Sequence, residues 1–517
     1  MSRPLGMLAL ITALGAALIF TNLDDRYLWE DEAETALLAQ RVLRFGVPIA
    51  WDGRDLISQR CGTDYDANYL WRQTPWAQFY VTALSFKLFG ADTLTARLPF
   101  AALGVLAIVS LYVLGVSLFG DRGLALLAAA ILVLSVPFLL YVRQTRYYAI
   151  AVLAGIWVLY FFFALVRDRR GALLGLALAM TVLFHANYLV FFATAAGLAL
   201  AFVAVWFETR AALRLIGAVV AALAINLSWL AIFEVRGKVS YTVADLSVQT
   251  FAVRAWQYLS WTELYACSVV LLTALVAARS LLTFGRPQQQ SWPALRVCVS
   301  LALFALGHIL VLSAAPFLFF RYLVSLLPAF ALLEAAVIRA LWSANRLAAV
   351  AGCALLLFVD RADLVHASLG STPAKYVYEI THHVPGPIGG IVRHLRDHAK
   401  PGERIFISYG DLPLRFYTDL EVRGGLGCQG FAGWPLPDWI IDRFFRFGTN
   451  ERGSSPGSAE DAERTHRYLR EIPVTRYDET RLPVVDTVWE NIPEPNMHIY
   501  RAPTDGRRIT VHRKVLP

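Results

Sequence analysis

The sequence predicts a polytopic α-helical membrane protein with a soluble α/β domain at its C-terminal end. Hydrophobic residues make up 57% of the 517 residues and charged residues only 17%, against about 45–50% and about 25% in an average soluble protein. Uninterrupted apolar runs of membrane-spanning length recur before residue 360, and after Arg361 none remains. These observations argue against a soluble enzyme and divide the chain into 1–360 and 361–517.

The predicted spans follow the charge-free runs. The first extends over residues 4–23 after Arg3, and no small-x-small cleavage site precedes Asp24, so it is predicted to be an uncleaved span. Further charge-free runs lie at 98–120, 123–142, 147–166, 171–207, 215–233, 264–278 and 297–320. The 37 residues of 171–207 are too many for one crossing of about 20, so His185-Ala186-Asn187 is the predicted turn between two spans. Weaker spans are predicted at about 322–339 and about 347–360.

The placement of arginine predicts the orientation. The segment from Pro75 to Gly90 could span or lie along the interface, and we expect the latter because the inside loops then hold most arginines, as the positive-inside rule requires. Those arginines are Arg122, Arg167, Arg169, Arg170, Arg210, Arg214, Arg279, Arg286, Arg296, Arg339 and Arg346. The outside loop 24–96 then carries eleven Asp or Glu and seven Lys or Arg. About eleven spans result, with the N-terminus inside and the C-terminus outside.

The tail after residue 360 is long enough for a core of its own. Ile391–His398 has helical spacing, and Arg404–Ser408 has the pattern of a strand. Short strand-like pieces follow at Val484–Trp489 and His498–Arg501, and residues 449–460 have the composition of a flexible loop.

Charge and cysteine content restrict the function. The net charge of +8 comes from arginines dispersed between apolar runs, which argues against a nucleic-acid partner. The five cysteines form no CxxC pair and no cluster with the spacing of a zinc site. The predicted topology puts Cys61 and Cys428 outside, where an oxidising exterior would allow a disulfide between them.

Four carboxylates crowd the start of the outside loop, in Trp29-Glu30-Asp31-Glu32-Ala33-Glu34. A carboxylate in such a group could act as a general base or bind a divalent cation. The alternative is a solvated cap, because acidic residues are favourable at a helix start and Ala33–Leu43 has a helical pattern. Composition alone favours the solvated cap.

The surrounding segments resemble the GT-C superfamily of integral-membrane glycosyltransferases, in particular the branch of protein O-mannosyltransferases and lipid A aminoarabinose transferases. No single motif is specific, but their order and the topology together are. After the acidic segment, the segments that carry the likeness are Ala39-Gln40-Arg41-Val42-Leu43, Gly46 to Pro48, Gln73-Thr74-Pro75-Trp76, Phe86-Lys87-Leu88-Phe89-Gly90, Ala96-Arg97-Leu98-Pro99, Arg143 to Tyr148, Arg321-Tyr322 and Leu327-Pro328. In the tail, Gly402-Glu403 and Phe416-Tyr417-Thr418 resemble the extracytoplasmic domain of many relatives.

The resemblance implies an enzyme that transfers a sugar, usually with inversion, from a polyprenyl-phosphate lipid to an acceptor on the outer face of the bacterial inner membrane. By the family pattern Asp31 would be the base, with Glu32 beside it in the catalytic pair. Glu34, with Glu32, would orient the sugar, the acceptor or a cation. The acceptor could be a glycolipid, a polysaccharide or a protein hydroxyl.

Cationic residues at the outer ends of spans are the candidate phosphate ligands, because the arginine fork matches phosphate oxygens. These are Arg72, Arg143, Arg146 and Arg321, and Tyr147, Tyr322 and His185 join them as candidate substrate-binding residues. The alternatives are anchoring of the arginines at the interface and a hydrogen-bonded structural role for His185.

Two departures from the family pattern bear on these assignments. Gln73-Thr74-Pro75-Trp76 replaces a common Lys-Pro-Pro-Leu, so the expected phosphate-binding lysine is absent and only Arg72 stands nearby. Tyr147 and Tyr148 stand where many relatives have a second acid. Metal dependence therefore stays open, and a divalent cation is the one cofactor under consideration.

Two functions without glycosyl transfer are the alternatives. A transporter or lipid flippase would more typically have paired halves or several charges within its spans, whereas Glu334 is the main acid within a predicted span. An assembly or polymerase partner without catalysis of its own is the second.

Overall fold

A computed structural model describes the chain over residues 3–238, 246–283, 292–316, 318–359, 361–362, 372–426, 433–443, 468, 472, 474–486 and 506–515. These residues form two compact units. The helical unit comprises the described residues of Met1–Thr21 and Phe100–Thr381, and the mixed unit comprises those of Asn22–Pro99 and of the chain from His382 onward. The predicted division of the chain at residue 360 stays a prediction.

The described α-helices are α1 Arg3–Phe20, α2 Glu30–Phe45, α3 Ala77–Phe89, α4 Thr93–Phe119, α5 Arg122–Leu134, α6 Val136–Val142, α7 Tyr148–Val166, α8 Ala172–Ala186, α9 Tyr188–Ala201, α10 Thr209–Ile225, α11 Leu227–Ile232, α12 Val248–Trp261, α13 Val269–Leu282, α14 Trp292–Ala314, α15 Leu327–Ala344, α16 Arg346–Phe358, α17 Pro373–Thr381, α18 Pro387–His398 and α19 Asp411–Tyr417. Short π-helical turns follow α9 at Phe202–Trp206 and α12 at Thr262–Ala266. The 3₁₀ segment Phe320–Leu326 precedes α15, and a second lies at Val474–Arg476.

The helical unit supplies most of the apolar helices. Among the described residues, six helical segments are long and apolar enough to cross a membrane, and eight if each of two bent helix pairs is one span. Large apolar side chains remain exposed on several helices, among them Leu10 on α1 (69%), Leu213 on α10 (67%) and Val270 on α13 (71%). Apolar side chains on the outer surface of a helix bundle are what a lipid environment favours. The protein is a multi-pass membrane protein, and the span count of eleven and the orientation stay predictions.

Helix breaks within the helical unit have local causes. α5 and α6 meet at Ser135 with a bend of 67°, and Pro137 near the start of α6 supplies a fixed φ and no N–H. The predicted turn at His185-Ala186-Asn187 is confirmed, because α8 ends at Ala186 and α9 begins at Tyr188. Asn187 Oδ1 accepts a hydrogen bond from Val190 N at 3.1 Å and so caps α9.

Glycines allow α9 and α14 to approach closely. A Cβ atom on Gly197 would lie 2.3 Å from the carbonyl oxygen of Phe304, and one on Gly307 would lie 2.8 Å from Gly197 Cα. A pair of small residues at facing positions is a common way for membrane helices to pack at short distance.

The mixed unit contains a five-stranded sheet with strand order β2-β1-β3-β5-β4. Its strands are β1 Arg404–Ile407, β2 Glu421–Gly424, β3 Trp439–Ile441, β4 Tyr477–Val485 and β5 Arg508–Lys514. β1 pairs in parallel with β2 and β3, whereas β5 pairs antiparallel with β3 and β4. The predicted small sheet near the C-terminus is therefore confirmed.

The sheet and α18 share one core. The buried face of α18 carries Ile391, Val392 and Leu395, which pack with Ile405 and Ile407 of β1. The predicted helix at 391–398 begins earlier, at Pro387, since proline is favourable in the first turn. The predicted strand at 404–408 is β1, which ends at Ile407.

Part of the predicted tail lies outside the described residues. β4 contains Val484 and Val485 of the predicted piece 484–489, whereas residues 487–489 and the piece 498–501 are not described. The loop predicted at 449–460 is likewise outside the described residues, as is Cys428.

Candidate active site

The acidic segment forms the first turns of α2 in the mixed unit. Glu30, Asp31, Glu32 and Glu34 are only 2%, 6%, 0% and 4% exposed. Acidic residues in a solvated cap would be exposed, so the burial favours a specific role over the cap. Each carboxylate must instead be stabilised by contacts within the protein.

Glu32 is held by Arg97 at the start of α4. Arg97 Nε donates to Glu32 Oε1 at 2.8 Å and Arg97 Nη2 donates to Glu32 Oε2 at 2.5 Å. Arg97 Nη1 donates to the carbonyl oxygens of Leu23 and Arg26, both at 2.9 Å. One buried guanidinium thus fixes Glu32 and the chain entering α2.

Glu34 contacts a compact turn formed by residues 58–64. Gln59 Nε2 donates to Glu34 Oε2 at 2.8 Å. The turn is organised by Asp64 Oδ2, which accepts from Ser58 Oγ at 2.5 Å, Gln59 N at 2.9 Å and Arg60 N at 2.8 Å. Burial raises the pKa of Asp64 above its ordinary value, and these hydrogen bonds oppose that rise.

Asp31 lies in the first turn of α2, where the helix dipole favours a negative charge. Its carbonyl oxygen accepts a hydrogen bond from Thr35 Oγ1 at 3.1 Å. Asp31 is therefore a buried acid at a helix start, next to Glu30 and Glu32 in the chain.

Glu30 lies beside Asp411 of α19, which pairs with Arg415 of the same helix. The Glu30 carboxyl lies beside the Asp411 carboxyl, and Arg415 Nη2 lies 3.1 Å from Asp411 Oδ2. Burial and the charge of Asp411 raise the pKa of Glu30 well above its ordinary value. At the other end of α19, the Tyr417 hydroxyl accepts from Leu28 N at 2.8 Å.

Arg72 and Gln73 lie in the same unit as the acidic segment. Arg72 Nη2 donates to Asp66 Oδ2 at 2.7 Å, and 29% of its side chain is exposed. Gln73 Oε1 accepts from Arg60 Nη1 at 3.1 Å. The cationic group predicted to replace the missing lysine is thus partly accessible and ion-paired.

In the helical unit, Arg143 binds the end of α1. Its guanidinium donates to the carbonyl oxygens of Leu18 at 3.2 Å and Thr21 at 2.8 Å, and to the Tyr376 hydroxyl at 3.0 Å. Arginine at a helix C-terminus satisfies carbonyl groups that have no partner within the helix. These contacts support a structural role for Arg143, and its role as a phosphate ligand stays a prediction.

Four predicted residues are brought together between α6, α7 and the segment before α15. Tyr147 lies within electrostatic reach of Arg146, Arg321 and Tyr322. The Arg321 guanidinium carbon lies 3.9 Å from the centroid of the Phe319 ring, and the Tyr147 and Tyr148 ring centroids are 4.5 Å apart. Arg146 is 6% exposed. We call Arg146, Tyr147, Arg321 and Tyr322 the arginine–tyrosine cluster.

His185 lies apart from that cluster, in the last turn of α8. Its side chain lies near Asn226, and its ring centroid is 5.0 Å from that of Trp229 at an interplanar angle of 87°. Both roles considered for His185, substrate contact and a structural role, stay predictions.

Comparison with known proteins identifies the fold. The sequence model of the family described as dolichyl-phosphate-mannose-protein mannosyltransferase matches residues 73–229. The structure is similar to ArnT from Cupriavidus metallidurans in the apo state, with 17% identity, a TM-score of 0.58 and coverage of 86% of this chain and 94% of that one. It is also similar to the same protein bound to undecaprenyl phosphate, with 18% identity, a TM-score of 0.55 and coverage of 98% of both chains. The chain has the GT-C fold. No curated protein sequence gives a significant match.

The family model matches only part of the chain and includes only some of the candidate site residues. The matched residues include Arg143, Arg146, Tyr147 and His185. Arg72 lies one position before the match begins. The acidic segment and Arg321-Tyr322 also lie outside the match, so their roles rest on the sequence resemblance and on their contacts.

Sequence reasoning missed two residues beside the acidic segment, Arg97 and Asp411, and the ion-pair partner of Asp411, which is Arg415. Arg97 stands in the segment Ala96-Arg97-Leu98-Pro99, so the resemblance included it without giving it a partner. Asp411 and Arg415 have the i, i+4 spacing of a helical ion pair, which was the available signal. The approach of Asp411 to Glu30 joins residues 381 positions apart, and no local pattern encodes it.

Proposed function

We propose that the protein is an inverting glycosyltransferase that moves a sugar from a polyprenyl-phosphate-linked donor to an extracytoplasmic acceptor. The main observation behind this proposal is that four acidic residues are buried at the start of α2 in a protein with the GT-C fold. That ArnT was crystallised with undecaprenyl phosphate supports a donor of this class.

Asp31 is the proposed general base. Its carboxylate takes the proton of the acceptor hydroxyl while the acceptor oxygen attacks the anomeric carbon from the face opposite the phosphate. The bond between the anomeric carbon and the phosphate oxygen breaks, and the polyprenyl phosphate leaves with the bonding electrons. Glu32 assists as the neighbouring acid whose direction Arg97 fixes, and Glu34 orients the substrate.

The arginine–tyrosine cluster and Arg72 are the proposed phosphate ligands. A departing phosphate gains negative charge, and guanidinium groups in a dry environment stabilise that charge. Arg143 remains a candidate ligand, although its contacts with the end of α1 support a structural role. His185 remains a candidate for contact with the sugar.

A divalent cation is poorly matched by the residues present. Arg97 occupies both carboxylate oxygens of Glu32, and Gln59 binds Glu34. Over the described ranges, no group of three or more His, Cys, Asp or Glu side chains is arranged to hold a metal. We therefore propose no step through a cation, and chelation provides the direct test.

The proposed location is the bacterial inner membrane, with the acidic segment on the periplasmic side, the N-terminus inside and the C-terminus outside. The concentration of arginines in the predicted inside loops supports this orientation. The same proposal divides the chain into a membrane domain over 1–360 and an extracytoplasmic domain over 361–517.

The test is a transfer assay with purified protein, labelled polyprenyl-phosphate sugars and candidate acceptors. Asp31→Asn should reduce transfer by about 10²- to 10⁴-fold, the usual contribution of a general base. Asp168→Asn is the matched control, because the Asp168 side chain is 73% exposed and pairs with Arg214. Undiminished transfer by the Asp31 variant would remove Asp31 as the base. Movement of lipid or solute across vesicles without covalent transfer would instead favour a transporter or flippase.

A further inference from the structure

Three ionisable side chains form a buried group where α2 meets α19 within the mixed unit. Glu30 is 2% exposed, and the side chains of Asp411 and Arg415 are 0% and 1% exposed. Arg415 Nη2 lies 3.1 Å from Asp411 Oδ2. Neither Glu30 carboxylate oxygen has a hydrogen-bond partner among the described residues, and the Asp411 carboxyl lies beside them. We call Glu30, Asp411 and Arg415 the carboxyl–guanidinium triad.

Charge balance requires one proton on the two carboxyl groups of the triad. With both carboxylates ionised, the triad would carry a net negative charge away from water, which is unfavourable. One proton makes it neutral and turns the contact between the carboxyl groups into a hydrogen bond. Because Arg415 faces Asp411, the carboxylate is Asp411 and the acid is Glu30.

Neighbouring charges do not change this balance. Arg41 lies within electrostatic reach of Arg415, but its own ion-pair partner is Asp52. Asp31 lies close enough to Glu30 to disfavour its ionisation. The raised pKa of Glu30 has burial as its largest cause and Asp411 as the next, in agreement with the charge count.

The sheet holds the α19 side of the triad in place. Arg415 Nη2 donates to the carbonyl oxygen of Val422 on β2 at 3.0 Å. Gly425, directly after β2, has φ of +63°, and a Cβ atom there would lie 1.6 Å from Asp411 Oδ1. Only glycine allows the chain to pass this close to Asp411, so the carboxylate has little freedom to turn away.

The triad fixes the beginning of α2. Glu30 is the first residue of that helix, and the N-cap residue Trp29 makes no capping hydrogen bond through its side chain. α19 therefore holds the entry to α2 at two points, through Asp411 to Glu30 and through Tyr417 to Leu28 N. Any shift of Glu30 would be transmitted to Asp31, the next residue of the same helical turn.

We propose that Glu30, Asp411 and Arg415 are positioning residues, in which a protonated Glu30 donates a hydrogen bond to Asp411 and so fixes the direction of Asp31. The inference rests on the proposed function, because it gives Asp31 a reaction to perform. Rising pH removes the Glu30 proton, places two carboxylates against each other and loosens the first turn of α2.

The test compares substitutions that keep or remove the donated hydrogen bond. Glu30→Gln keeps a donor, since its amide N–H replaces the acid O–H, and should retain kcat and KM while losing the alkaline fall of kcat caused by Glu30 ionisation. Glu30→Ala and Asp411→Ala should lower kcat by about 10- to 100-fold, the effect of a small misplacement, with little change in the KM for the donor lipid. Equal losses in Glu30→Gln and Glu30→Ala would overturn the proposal, because Glu30 would then act as an anion.

Infrared spectroscopy tests the protonation of Glu30 directly. It does not depend on sugar transfer or on the alanine variants, which could fold poorly. The difference between the wild-type and Glu30→Gln spectra should contain the carbonyl band of a protonated carboxylic acid at pH values far above 4.5, the ordinary pKa of glutamic acid. The difference removes the contribution of other buried acids, such as Asp64. Absence of the band from that difference spectrum at neutral pH would overturn the shared proton. If the wild type transfers no sugar, the proposed function and the positioning role fail together, and the band then tests only the protonation of Glu30. If Asp31→Asn transfers normally while the triad variants behave as expected, only the choice of base fails.

Discussion

Arg97 donates two parallel hydrogen bonds to Glu32, one to each carboxylate oxygen. Its third guanidinium nitrogen donates to the carbonyl oxygens of Leu23 and Arg26. The planar fork of arginine makes this geometry, whereas the single ammonium of lysine cannot reproduce it. One side chain thus connects the start of α4 to both the acidic turn and the chain that leads into it.

Loss of this pair should destabilise the protein strongly. Arg97→Leu leaves Glu32 buried without its partner, which costs about 3–5 kcal/mol of unfolding free energy. Arg97→Lys should recover only part of that loss. Thermal melting in detergent measures both, and the double variant Glu32→Leu/Arg97→Leu should be more stable than Arg97→Leu alone. A double variant that loses the sum of the two single losses would contradict the pairing.

The glycine contact between α9 and α14 should not tolerate a side chain. Gly197→Ala would bring Cβ against the Phe304 carbonyl oxygen, and the required shift should cost about 1–3 kcal/mol. Gly217→Ala is the control, because its Cβ would lie 3.6 Å from the nearest side-chain atom, Leu173 Cδ1. Melting temperatures compare the two, and an equal response would remove the close approach as the cause.

The arginines should separate into lipid ligands and structural residues. Arg146→Gln and Arg321→Gln should weaken binding of polyprenyl phosphate about tenfold or more, because a hydrogen bond to a charged group contributes about 1.5–3 kcal/mol. Arg143→Gln should mainly lower the melting temperature, since it loses the carbonyl contacts at the end of α1. Binding of labelled lipid to purified variants measures the difference. Weakened binding in Arg143→Gln alone would transfer the phosphate role to Arg143.

The buried carboxyl of Asp64 should make stability depend on pH. Since burial raises its pKa in the folded protein, the folded state retains the proton where the unfolded chain has lost it. The stability from this group is complete below pH 3.8, the ordinary pKa, and decreases as the pH rises through the raised value. Asp64→Asn still offers an acceptor to Ser58, Gln59 and Arg60, so its melting temperature should fall less with rising pH. The same slope in wild type and variant would contradict the effect.

Cys61 is disulfide-bonded, whereas Cys267, Cys298 and Cys353 are free thiols. Reduction should therefore lower the unfolding free energy by about 2–5 kcal/mol, and Cys61→Ser should abolish the response to reductant. Mass spectrometry of unreduced peptides tests the pairing of Cys61 with Cys428 that the sequence predicts. Free thiols at both positions would rule it out.

Local patterns were enough to predict some of the regular elements of this fold. The turn at Asn187 follows from run length, and α18 and β1 follow from apolar periodicity. The four residues of β2 and the three of β3 are too short to give such a pattern. The contacts of Glu32 with Arg97 and of Glu30 with Asp411 depend on tertiary packing between distant parts of the chain, so the sequence identified the acidic segment without its partners.

The mixed unit is also discontinuous along the chain, and this affects the order in which it can be made. The 282 residues of 100–381 separate its two described parts, and translation at about 5–20 residues per second takes roughly 15–60 s to cross them. Throughout that interval Glu30 and Leu28 have been synthesised while Asp411 and Tyr417 have not. The first turn of α2 therefore gains its contacts with α19 only near the end of biosynthesis. A chain truncated before α19 would carry Asp31 without the side chains that hold the start of its helix.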